Sequence, residues 1–201
     1  MDGLRRRWDG LAARIGILDD GLFDELVARY GEPHRRYHTV EHLAAVVEGV
    51  EGAGGSDAAV LAAWFHDAVY DPRAAPGANE RASADLAVST LRARGAPTGL
   101  VERVAALVLA TVDHAPPSDP ALADDAAVLV AADLAVLGAP PDEYDRYAAA
   151  IREEYGFVPD GAYRAGRAQV LRALLEGSTL PPGASENLAR ELRGLDGSPP
   201  G

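Results

Sequence analysis

Apolar residues recur along this chain at the three-to-four-residue spacing of helices, and glycine or proline closes most of the runs. Leu4, Trp8, Leu11 and Ile15 predict a helix over 4–15. Leu22, Phe23, Leu26, Val27 and Tyr30 predict another over 20–30, stopped by Gly31 and Pro33. A basic, aromatic stretch, HRRYHTVEH, leads into LAAVVEGV and a loop from Gly52 to Ser56. The densest apolar run, ending AAWFHDAVY, predicts a helix over 57–69, and DPRAAPGA cannot continue it through two prolines. Asn79 is the expected N-cap of a helix over 80–94, with Glu80 in its first turn. An apolar helix over 99–113 ends at Asp113-His114, and Pro116, Pro117 and Pro120 fill the next loop. Residues 124–137 are strongly apolar around Asp133, and helices over 141–155 and about 161–176 follow. The tail from Ser178 holds one short amphipathic stretch, 185–195, before a Gly/Pro end. No period-2 strand series interrupts the pattern. The expected fold class is all-α, a helical bundle forming one domain over 1–180, with 181–201 as a tail carrying one short helix.

Composition narrows the chemistry. The chain has 201 residues, enough to bury a sizeable core, and no cysteine. Disulfides, thiolate zinc sites and cysteine nucleophiles are therefore excluded together. All 19 basic residues are arginine, which excludes a Schiff-base lysine and a phosphate-loop lysine. The formal net charge of −12 opposes binding to a nucleic-acid polymer. No apolar run approaches the ~20 residues of a membrane span, and no apolar signal core follows the charged N-terminus. The expected location is cytoplasmic.

The ionisable residues are unusually placed. His66-Asp67 interrupts the end of an apolar helix, where a cationic histidine suits the helix dipole but an anion does not. His38 and His42 are four apart, so on a helix they share a face. Asp113-His114 closes another apolar helix, and Asp133 lies inside AVLVAADLAVLG, where a lone carboxylate needs a cationic partner. A buried arginine is one such partner for Asp133. A single divalent ion would account for the whole set at once. His34 reads as a solvated turn residue.

The order of a histidine, an adjacent His-Asp pair and a distant aspartate in an apolar helix resembles the HD superfamily of metal-dependent phosphohydrolases. The segments RRYHTVEHL, AAWFHDAVYDP, NERASA, ATVDH, AADLAVLG, YAAAIREEY and GRAQVLRALL occur in an order similar to one bacterial group of predicted HD phosphohydrolases, over roughly residues 30–176. The resemblance implies an HD-domain helical bundle with His42, His66, Asp67 and Asp133 as metal ligands. It gives Asp67 a catalytic role beside its ligand role, and it gives Glu80 a position suited to orienting water or to general acid/base work. A first-turn helix anion is the alternative for Glu80. His38 and His114 lie outside the minimal pattern and are expected to bind substrate phosphate or a second ion.

Two imidazoles and two carboxylates suit an octahedral Mn, Mg, Co, Fe or Ni ion with positions left for water and a substrate oxygen. Such an ion acidifies water for attack at phosphorus. Arginines hold phosphate oxygens in bidentate fashion. Arg35 and Arg36, just before His38, are the first candidates, and Arg152 and Arg167 the second, with solvation or ion pairing as the alternative for each. The resulting expectation is hydrolysis of a small phosphate ester or nucleotide by a protein with no nucleic-acid or membrane partner, assembled as a homodimer. Two rival readings attach to the same resemblance: an HD-type di-iron oxygenase and a non-catalytic metal or nucleotide sensor. The oxygenases carry extra histidines between the doublet and the final aspartate, an interval that here holds only His114. Hydrolases of guanosine tetraphosphate carry a Glu-Asp pair after the doublet, where this chain has Tyr70-Asp71.

Overall fold

The computed structural model describes residues 1–114, 119–177 and 179–197. These form ten α-helices and two short 3-10 helices, with no strand among the described residues. The expected loop prolines Pro116 and Pro117, Ser178 at the start of the expected tail, and the Gly/Pro end at 198–201 lie outside the described residues. Among the described residues no helix is long and apolar enough to cross a membrane.

The chain divides into two compact units, Met1–Ala132 and Asp133–Gly201. The first unit holds α1 (Asp2–Ile15), α2 (Leu22–Tyr30), α3 (Val40–Gly52), α4 (Asp57–Phe65), α5 (Ala78–Ala93) and α6 (Thr98–Leu109). It also holds α7 (Ala123–Asp133), whose last residue alone falls past the division.

Helix α4 is the centre of this unit. Every residue from Ala58 to Phe65 is buried, so the helix has no solvated face and its sequence no amphipathic stripe. It packs against α1, α3, α5 and α6. Its N-terminus is capped by Ser56, whose hydroxyl accepts from the Ala59 N–H at 3.3 Å. Ser56 in turn donates to Asp125 of α7 at 2.6 Å. At the other end Trp64 meets Trp8 of α1 edge-on, with ring centroids 4.9 Å apart, and both rings are fully buried.

The sequence pattern predicts α4 to residue 69, but regular helix ends at Phe65. His66 completes the last turn, its N–H bonding to Ala62 O at 2.8 Å, and the chain then unwinds towards Pro72. Side chains satisfy the carbonyls this releases. Arg35 donates to Asp67 O (2.8 Å) and Ala68 O (3.4 Å), and the Ser83 hydroxyl donates to Val69 O at 3.3 Å. The doublet therefore sits on a tight turn past the helix end. Helix α6 similarly stops at Leu109, leaving Asp113 and His114 beyond it.

Asn79 is not the cap of α5. Gly77, in a left-handed conformation at φ 72°, precedes that helix. Asn79 lies in the first turn and closes a reciprocal pair with the Asp71 backbone instead, accepting at 3.0 Å and donating at 3.1 Å.

Helices α3 and α7 meet at small residues. A Cβ added to Gly49 would lie 3.0 Å from the Ala132 methyl, so the two backbones approach closely beside Asp133.

The second unit contains α8 (Pro141–Glu154), α9 (Asp160–Gly177) and α10 (Ala184–Leu195), after a 3-10 turn over Leu134–Gly138. The helix at the end of the chain is part of this unit's core. Ala184, Asn187 and Leu188 are buried, and the Asn187 amide donates to Leu137 O (2.9 Å) and Ala139 O (2.8 Å).

Candidate metal centre

Three helix ends or turns supply the set. His42 lies in α3, His66 and Asp67 follow α4, and Asp133 is the last residue of α7. The ligand atoms of His42, His66 and Asp133 all lie within 4.8 Å of one another. Asp67 stands outside that group of three, but its Oδ2 is 3.1 Å from His66 Nε2 and 3.5 Å from His42 Nε2.

The backbone fixes the tautomer of His66. Its Nδ1 is 2.8 Å from Ala63 O, an atom that can only accept, so Nδ1 carries the proton and the neutral ring presents a bare Nε2. That nitrogen faces His42 Nε2 at 3.1 Å, with both side chains buried. Adjacent ligands at right angles with bonds of about 2.2 Å would stand about 3.1 Å apart, so the imidazole pair fits neighbouring positions on one octahedral ion. Nitrogen and carboxylate donors without sulfur match the harder and borderline divalent metals.

Asp67 is the most perturbed carboxylate here. Burial pushes its carboxyl up, but His66 and His42, when their rings are protonated, outweigh burial, with His38 adding to them, and hold it well below the usual range. Its side chain is 15% exposed, so it still has a path to solvent. Its backbone N–H donates to the Tyr30 hydroxyl at 3.2 Å, and that hydroxyl donates to Trp64 O at 3.2 Å.

Glu80, in the first turn of α5, has a buried Oε2 with no hydrogen-bond partner. Burial and the nearby Asp67 raise its carboxyl, against lowering by its own backbone N–H, His114 and Arg81. His114 adopts a left-handed conformation, φ 54°, within electrostatic reach of Glu80.

His38 lies ahead of α3 rather than on it, so it does not share a helix face with His42, yet the two ring centroids are 5.7 Å apart. It stacks on Tyr70 at 4.3 Å, and Tyr37 packs against His42 at 4.7 Å. His34 is exposed and hydrogen-bonds Tyr70 O at 2.7 Å.

The four candidate arginines are placed very differently. Arg35 is 3% exposed and directs its donors to Glu32 and to the carbonyls of His38, Asp67 and Ala68, so it ties the first histidine segment to the doublet turn. Arg36 is exposed, with Nη1 on Pro33 O and Arg35 O. Arg152 binds Tyr155 O, Val158 O and Asp160 within the second unit. Arg167 is buried there in a two-pronged pair with Glu191, at 2.8 and 3.0 Å. The Arg35 brace and the Arg167–Glu191 pair escape sequence reasoning, because carbonyl partners leave no residue signature and Glu191 lies on a remote segment.

The chain matches no protein-family model, no curated protein and no solved structure. Function is therefore read from these side chains.

Proposed function

We propose that the protein is a metal-dependent phosphohydrolase of HD type acting on a small phosphate ester or nucleotide. The observation that carries this reading is the meeting of His42, His66 and Asp133 within 4.8 Å, at residues that the ordered motifs single out. These three residues, with Asp67 against both imidazoles, would hold the divalent ion. When bound, that ion supplies Lewis acidity to a phosphoryl oxygen and acidity to a water.

The chain's own groups do the rest. Asp67 accepts a hydrogen bond from the attacking water and orients it. Glu80, its carboxyl shifted up by burial and its Oε2 buried without a partner, is the group assigned to deliver a proton to the leaving oxygen. His38, whose ring lies 5.7 Å from that of His42, and His114, within electrostatic reach of Glu80, are assigned to the phosphate oxygens. Arg35 keeps the 38 and 67–68 backbones in register so that these groups converge.

The test is a panel of phosphate esters and nucleotides with added Mn, Mg, Co and Ni. Wild-type protein is expected to turn over at least one, and His66→Ala and Asp67→Ala to lower turnover by about 10³-fold or more while leaving the helical circular-dichroism signal intact. Full activity in either variant would remove the doublet from the mechanism. Metal uptake without turnover of any ester would favour a sensor.

A further inference from the structure

The turn after α4 is held by a tyrosine that the phosphohydrolase reading leaves without a task. Tyr30 is the last residue of α2, and its side chain is fully buried. Its hydroxyl accepts from the Asp67 N–H at 3.2 Å and donates to Trp64 O at 3.2 Å. In a continuing α-helix the Asp67 N–H would bond Ala63 O, and Trp64 O would receive the Ala68 N–H. Here the His66 ring Nδ1 takes Ala63 O at 2.8 Å, and the Ala68 N–H turns back to Phe65 O at 3.0 Å. One hydroxyl, acceptor and donor at once, stands in for both helical bonds. Trp64 is fully buried, so its carbonyl has no water to turn to and needs a protein donor.

The same turn is gripped at its carbonyl. Arg35 Nη1 donates to Asp67 O at 2.8 Å, and its guanidinium lies over the Tyr30 ring, 5.1 Å from the centroid. The N–H and the C=O of residue 67 are therefore each fixed by a buried side chain, one from the end of α2 and one just beyond it. A residue held at both of its peptide groups has a fixed Cα–Cβ direction. For Asp67 that direction brings Oδ2 to 3.1 Å from His66 Nε2 and 3.5 Å from His42 Nε2.

We propose that Tyr30 is a positioning residue for Asp67: its hydroxyl replaces two helical hydrogen bonds at the doublet and holds the turn in the conformation that aims the carboxylate at the imidazole pair. The inference rests on the reading of Asp67 as part of a metal centre. Groups that support a ligand typically account for about 10–100-fold of metal affinity. Tyr30 acts through the backbone of residue 67 rather than on the reacting atoms.

Tyr30→Phe removes the hydroxyl and keeps the ring under Arg35. Calorimetric titration of the full chain with Mn(II) is expected to give a dissociation constant about tenfold or more above wild type. Leu11→Ala, which opens a cavity at a fully buried position of α1, is the control for lost stability alone. It is expected to melt lower than wild type but to bind Mn(II) within about twofold of it, because it leaves the hydrogen bonds of the turn intact. Metal-free protein gives an independent readout: the Asp67 amide proton resonance should move upfield in Tyr30→Phe, where its acceptor is gone, and stay put in Leu11→Ala. Unchanged Mn(II) affinity in Tyr30→Phe overturns the proposal, as does an equal loss in Leu11→Ala, which would reduce the effect to general stability. An unmoved Asp67 amide in Tyr30→Phe overturns it as well. Wild-type protein that takes up no Mn(II) refutes the metal reading instead, and the hold of Tyr30 on the turn is then decided by the amide resonance.

Discussion

Asp19 shows how much one carboxylate can hold together in this protein. It accepts from the Trp8 indole at 2.9 Å, from the Phe23 backbone at the start of α2 at 3.0 Å, and from Arg5 at 2.5 Å. Burial alone would raise its carboxyl, but those donors, with Arg5, bring it below the ordinary value. A depressed folded-state pKa adds stability that is present above the unfolded value, about 4, and is lost as pH falls through the folded one. Asp19→Asn should therefore cost about 1–2 kcal/mol at pH 7, and its melting curve should converge on wild type below about pH 4. A difference that stays constant down to pH 3 would mean that the charge is irrelevant. Sequence reasoning reached His66-Asp67 because a charged pair stood out against an apolar run. Asp19 carried no such contrast, since an aspartate ahead of a helix is ordinary until the buried indole on a different helix is seen. Arg35 was legible as a basic residue near the site, but the carbonyls that consume its donors were not.

At the level of helices, the spacing of apolar residues located nine of the ten within a few residues, because burial of one face imposes that spacing; for α3 it set no bounds. The ends were less legible. Both α4 and α6 stop before their apolar runs do, and beyond α4 the released carbonyls are taken by Arg35 and Ser83 from other segments. The approach of α3 to α7 was not legible either, since Gly49 inside a helix reads as a mere weakness until Ala132 is placed against it. Ala132 directly precedes Asp133 in the chain. Gly49→Val should force the helices apart, costing about 1–3 kcal/mol by overpacking and weakening Mn(II) binding along with it. Thermal melts and a metal titration on the same preparation check both effects. Unchanged metal affinity in a destabilised variant would show that the crossing does not control the carboxylate.

For the whole chain, the terminal helix packs within the second unit. Residues 181–197 contribute Ala184, Asn187, Leu188 and Glu191 to the second unit. Glu191 is 13% exposed and Arg167 7%, measured on the side chains, so cutting at 180 leaves a buried guanidinium without its anion. Breaking such a pair costs about 3–5 kcal/mol before the lost apolar contacts are counted. A chain ending at residue 180 should therefore lose a cooperative unfolding step in calorimetry, whereas removing only 198–201 should not. Retention of the full transition after the larger cut would restore the view of 181–197 as an appendage. The periodicity over 185–195 announced a helix, but nothing in it announced partners at 137, 139 and 167, since those contacts join distant segments through single polar atoms.

The chain's two tryptophans, Trp8 and Trp64, touch edge to face in the dry centre of the first unit. Trp64 precedes His66 by two residues, so every indole chromophore in the protein is concentrated in one spot next to the proposed ion. Emission from this pair is a built-in optical gauge. Cobalt or nickel, whose absorption drains excited indoles, would dim it as they enter, and occupancy could be followed in a cuvette with no label attached.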